Sequence, residues 1–120
     1  MLILIIGSAP DAIEARSLQG ELFQSIVAIN NAWNIRKDWD FCIFPDDFPD
    51  NRRPIGNKAQ KLIRSEQYVP LQNKYGGFVY SGGTMAFTAG YWALGHFKPK
   101  AIAYIGCDMI YDGEDTHFYG

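Results

Sequence analysis

The chain has no excess of basic residues. Its 11 Lys and Arg against 13 Asp and Glu leave a formal charge of −2 and a pI near 5.6. A general nucleic-acid binder needs a cationic face to neutralise phosphates, so this balance argues against that class. One local basic cluster remains: Arg52, Arg53, Lys58, Lys61 and Arg64. Cysteine is scarce too. Cys42 and Cys107 form no CxxC pair, which leaves a zinc site without support. Each lies in or just after an apolar, strand-like run and reads as a free thiol in a reducing compartment rather than half of a disulfide. Long apolar runs are missing. Met1–Ile6 has no basic residues before it and ends at Gly7, too soon for a signal peptide. No stretch approaches the roughly 18 apolar residues that a membrane span needs. The expectation is a cytoplasmic protein with no membrane span. Neither a Walker A pattern nor G-x-G-x-x-G occurs, which disfavours a P-loop ATPase or a standard dinucleotide enzyme.

The 120 residues suit one domain, 1–120, with 48% hydrophobic and 20% charged residues. Leu2–Ile6 is a continuous apolar run closed by Gly7, the signature of a strand buried on both faces. Ser8 can cap a following helix, Pro10 suits its first turn, and Asp11 and Glu14 complement its dipole, so a helix is expected from about Pro10 to Leu18. Ser25–Ile29 and Phe41–Phe44 read as strands. Residues 45–56 hold three prolines and read as a loop. An amphipathic helix is expected over Asn57–Ser65, a short strand over Gln67–Val69 and another over Phe78–Tyr80. Met85–Leu94 should be a buried helix stopped by Gly95, with Pro99 beyond it, and Ala101–Ile105 a last strand. Strands alternating with helices imply an α/β fold with a mostly parallel, doubly wound sheet and helices on both faces. No helix follows the last strand, so a partner such as a second copy is expected to cover it, or else the chain is a truncated version of a larger fold.

Four strand ends run into polar or glycine-containing loops: Gly7-Ser8-Ala9-Pro10, Asn30-Asn31, Ser81-Gly82-Gly83-Thr84 and Gly106-Cys107-Asp108. In open parallel sheets ligands sit beyond the carboxyl ends of the strands. Two of these loops open helices, whose first N–H groups lack partners and welcome an anion. Glycine lets the backbone approach a phosphate closely. Each loop also has a plain reading as a turn or a cap, but four together point to a phosphate or nucleotide site. In the tail, Asp108, Asp112, Glu114, Asp115, Tyr111 and His117 gather acids, a phenol and an imidazole. That set is suited to acid–base work or a divalent cation, or equally to a solvated acidic loop. Asp46 and Asp47 are similarly ambiguous, and His96 reads as a helix C-terminal residue with no catalytic role.

In order, Gly7-Ser8-Ala9-Pro10, Ile29-Asn30-Asn31-Ala32-Trp33, Ser81-Gly82-Gly83-Thr84-Met85-Ala86 with Ala93-Leu94-Gly95, and Ala103-Tyr104-Ile105-Gly106-Cys107-Asp108 resemble the bacterial family 42 sialyltransferases. They are equally similar to the 6-hydroxymethylpterin diphosphokinase MptE-like proteins. The likeness spans most of the chain, apart from Asp50–Lys74. It implies a Rossmann-like, nucleotide-binding domain. Under the sialyltransferase likeness, Ser8 takes the place of an Asn near the donor phosphate, Asn30 contacts the nucleotide, and Ser81 and Gly82 hold the cytidine or ribose side. Gly106 and Asp108 match a Gly-x-Asp motif, with Tyr111 near the leaving phosphate. The family's downstream catalytic His has no counterpart, since His117 lies too close to Asp108. Thr116-His117 is more similar to the second group, whose diphosphokinase members use ATP and Mg²⁺.

Three functions follow as expectations. The first is a glycosyltransferase-like transferase on a nucleotide-activated sugar of the CMP-sugar type, with no certain cofactor. Its nucleotide-binding residues are Gly7, Ser8, Ala9, Pro10, Asn30, Asn31, Ser81, Gly82, Gly83, Thr84, Gly106 and Asp108, and Tyr111 and His117 are its candidate catalytic pair. The second is a diphosphokinase-type domain requiring Mg²⁺ and ATP. The third is a non-catalytic module that binds a nucleotide or a partner protein.

Overall fold

The computed structural model describes residues 2–55, 59–76 and 85–107. Five strands form one sheet: β1 (Leu2–Ile6), β2 (Ser25–Ile29), β3 (Phe41–Ile43), β4 (Lys61–Ile63) and β5 (Ala101–Ile105). Their order is β4-β3-β2-β1-β5, and every pairing is parallel. The fold is α/β and Rossmann-like. The chain steps outward from β1 to β4, then returns through two helices, α1 (Ser65–Gly76) and α2 (Met85–Phe97), to lay β5 on the other side of β1. The strand order therefore reverses between β1 and β5.

Residue parity divides the core into two layers, because successive side chains of a strand point to opposite faces. Ile3, Ile5, Val27, Ile29, Ile43 and Ile63 face α1 and α2, where they meet Tyr68, Ala89, Trp92 and Ala93. Leu4, Ile6, Ile26, Ala28, Cys42 and Phe44 face the other way, against Ala12, Ala15, Ala32, Ile35, Trp39 and Phe48. Complete burial contributes roughly 1.5–3 kcal/mol for each large apolar side chain, so the central β1 and β2 anchor both layers. Burial also pushes the Cys42 thiol up to about 12, in keeping with the expected buried thiol; Cys107 is partly buried, and neither cysteine is in a disulfide.

The second layer contains 3₁₀ segments, one of them where a helix was expected from about Pro10 to Leu18. Pro10–Ser17 is 3₁₀, and Ala9 rather than Ser8 occupies its N-cap position. The reason is visible in the spacing. Ala9, Ala12, Ala15 and Leu18 recur every third residue, and the Ala12 and Leu18 N–H groups donate three residues back, to the Ala9 and Ala15 carbonyls. A 3₁₀ turn stacks such residues in one line, whereas an α-helix would rotate them off the sheet. Arg36 closes the far end: one guanidinium nitrogen donates to the Ala15 and Leu18 carbonyls (2.9 and 2.7 Å), while the others grip Asp38.

Three further expectations are corrected. Of the helix expected over Asn57–Ser65, residues 61–63 form β4 instead, paired with β3 through Phe41↔Lys61, Cys42↔Leu62 and Ile43↔Ile63. Pairing with a neighbour outweighs local helix preference. The strand expected over Gln67–Val69 lies inside α1, where Tyr68 packs on the sheet. Gly95 does not stop α2, which runs on to Phe97 and closes at Lys98, a residue in the left-handed region (φ 51°) whose N–H bonds the Leu94 carbonyl. Gly95 is there for space: a Cβ on it would press into Leu71 of α1. The same helix pair is joined by the buried Thr88 hydroxyl and Gln72 at 3.0 Å. The strand expected at Phe78–Tyr80 lies outside the described residues. Among those described, no helix is long and apolar enough to cross a membrane.

Candidate functional site

The ends of β1 and β5 are drawn together by backbone bonds. Gly7 N–H donates to the Ile105 carbonyl and Ala9 N–H to the Gly106 carbonyl, both at 2.8 Å. Gly106 has φ +72° and lies so close to Ala12 that a side chain would clash, which is why glycine is needed there. Gly7 is likewise pressed against the Gly106 carbonyl and the Cys107 sulfur. These contacts change the expected role of the first loop. Two of its amides are spent on β5, and Pro10 has none to give, so this loop shapes the rim rather than offering a row of amides to a phosphate.

Beside this junction lies a crevice of about 30 Å³, lined by Gly7, Ser8, Ile29, Asn30, Met85, Ala86, Gly106 and Cys107. It stands at the carboxyl ends of β2, β1 and β5, where the strand order reverses, the general ligand position of such sheets. The start of α2 contributes two residues to its wall. The first N–H groups of a helix have no partner within it, and its N-terminus carries partial positive charge. The space is narrow and takes one polar group of a ligand rather than a whole ring.

Asn30 is the polar side chain that this arrangement leaves waiting. Its backbone is left-handed (φ 53°), a conformation Asn tolerates better than most residues. Its carbonyl receives the Cys42 thiol at 3.4 Å. Its side-chain Oδ1 is buried and has no hydrogen-bond partner. A buried acceptor left unpaired costs about 1–3 kcal/mol, so the site is set to receive an N–H or O–H.

The sequence-predicted residues thus divide. Gly7, Ser8, Asn30 and Gly106 meet at the crevice. Ala9 and Pro10 are not in its lining and begin the 3₁₀ segment. Asn31 is buried and turned to another task, accepting a hydrogen bond from Asn34 at 3.0 Å. Ser81, Gly82, Gly83, Thr84, Asp108, Tyr111 and His117 lie outside the described residues, as do Asp112, Glu114 and Asp115. In chain order Thr84 precedes Met85 and Asp108 follows Cys107, both of which line the crevice. Asp46 accepts the Ser65 hydroxyl at 2.8 Å. His96 is exposed and stacked on Trp92 (4.9 Å, 15°), near the end of α2 remote from the crevice. Met85, Ala86 and Cys107 also line the crevice; Cys107 belongs to the loop that ends β5, and Met85 and Ala86 are the first residues after a Gly-rich loop. Among the described residues no three His, Cys, Asp or Glu come together as a metal site.

The fold and crevice define a doubly wound α/β protein with an opening at its switch point. No family model, curated protein or solved structure matches this chain.

Proposed function

We propose that the crevice receives one polar group of a nucleotide or nucleotide-activated sugar lying along the carboxyl rim and that the protein is a glycosyltransferase-like transferase. The observation that carries this reading is the unpaired Oδ1 of Asn30 beside the N-terminus of α2 at the β1–β5 switch point. The pairing calls for a ligand with two characters at once. One is a donor, a ribose hydroxyl or an exocyclic base amine, to satisfy Asn30. The other is an anion to meet the helix end. Nucleotides have both. The strand-tip motifs that resemble the family 42 sialyltransferases support the same class, and transfer would draw on electrostatic stabilisation of a departing phosphate.

Calorimetry of the full chain with CMP, CDP, UDP and ATP, each with Mg²⁺ and with EDTA, tests this. At least one nucleotide is expected to bind in EDTA. Asn30→Ala is expected to weaken it roughly tenfold, the worth of one well-made hydrogen bond to a buried group. Heat with none of the four would overturn the reading. Binding of ATP that strictly requires Mg²⁺ would replace it with the diphosphokinase-type alternative.

A further inference from the structure

We infer that Arg64 forms a second, separate oxyanion site on the same rim, at the tips of β3 and β4. The Arg64 guanidinium carbon lies 5.2 Å from the centre of the Phe44 ring, and the Arg53 guanidinium carbon lies 4.9 Å from the same centre. Two cations therefore share one buried aromatic ring, yet their partners differ sharply. Arg53 donates to the Asp46 and Phe48 carbonyls and pairs with Asp50 at 3.1 Å. The Nε of Arg64 is buried with no acceptor.

The position of Arg64 in the chain sharpens the point. It stands at the N-cap of α1, where its backbone N–H donates to the Oε1 of Gln67 at 2.8 Å, half of a capping box. A helix N-terminus is the positive end of the dipole, where a cation is disfavoured. A half-buried guanidinium whose Nε lacks an acceptor, at that end and beside a second guanidinium, is suited to an anion. Asp46 accepts the Ser65 hydroxyl. The Tyr68 hydroxyl is raised first by burial, then by the charges of Asp46 and Asp47, with Arg64 opposing and Glu66 adding to the rise. None of these carboxylates forms an ion pair with Arg64 among the described contacts.

The ligand group is a small oxyanion, phosphoryl or carboxylate, taken by the planar fork of an arginine that already rests on an aromatic face. With two strand spacings between β2 and β4, the site lies about 10 Å along the rim from Asn30. It is distinct from the crevice, and either site can exist without the other.

Side-chain ¹⁵N–¹H NMR of the wild-type chain, titrated with inorganic phosphate and separately with acetate, reads the Arg64 Nε–H directly. A saturable shift of that resonance is expected, with the arms telling phosphoryl from carboxylate preference. Arg64→Gln is expected to lower affinity for the preferred anion at least tenfold, Arg64→Lys to give an intermediate loss, and Asn30→Ala to leave it unchanged. No saturable shift with either anion overturns the site. So does a titration in which Asp46→Asn alone creates the binding, because Asp46 would then be the anion that Arg64 already holds.

Discussion

The two ends of the carboxyl rim make opposite demands. At the β1–β5 end the buried atom without a partner is an acceptor, Asn30 Oδ1; at the β3–β4 end it is a donor, Arg64 Nε. These two are the buried unpaired side-chain atoms among the described residues. Elsewhere polar groups are matched in the usual way, as in Arg36 with Asp38 or Thr88 with Gln72. Native interiors rarely leave buried polar atoms unpaired, and both exceptions fall on the same rim. The difference teaches that the rim is not a uniform basic surface. A buried acceptor lacks a donor at one place and a buried donor lacks an acceptor at another.

The comparison can be broken most severely from below, by removing the ring on which Arg64 rests. Phe44 is fully buried. Phe44→Ala should cost about 3–5 kcal/mol in chemical denaturation and abolish the phosphate response of Arg64. Phe44→Leu, which keeps more of the volume, should spare more of the stability. A Phe44→Ala protein as stable as wild type would mean that the β3–β4 end is built otherwise.

At the other end the equivalent foundation is Gly106. A side chain there meets both a left-handed backbone and Ala12. Gly106→Ala should lose roughly 2–4 kcal/mol, the sum of conformational strain and overpacking. An unchanged denaturation midpoint would show that the β1–β5 junction tolerates separation.

The subtlest test separates stability from binding at Asn30. Glycine takes φ 53° without strain, so Asn30→Gly should be neutral or stabilising by up to about 1 kcal/mol while weakening nucleotide binding. If the substitution leaves affinity intact, the Oδ1 atom is not the ligand contact. If it destabilises strongly, Asn30 is a structural residue instead.

Much of the frame was legible in the chain. The runs Leu2–Ile6, Ser25–Ile29 and Ala101–Ile105 are strands as their continuous apolar character implied. The helix beginning at Met85 follows from its own apolar residues. The 3₁₀ form of Pro10–Ser17 is also written there, in the three-residue spacing of its alanines, although its capping residues by themselves suit a helix of either kind. Lys61–Ile63 was not legible. Three residues carry too little pattern of their own, and their conformation comes from hydrogen bonds to β3.

What the sequence determined by itself is the set of local preferences: which runs are apolar enough to be buried, where glycine and proline must interrupt them, and that polar loops end the strands. Which of those loops become neighbours follows from the packing of the whole chain. The order β4-β3-β2-β1-β5 brings Gly106 against Gly7 and leaves Asn30 beside both. It also sets Arg64 over Phe44, twenty residues away in the chain. Unpaired buried atoms arise from that meeting of distant segments, because whether an acceptor has a donor depends on what packs around it, not on its own residue type.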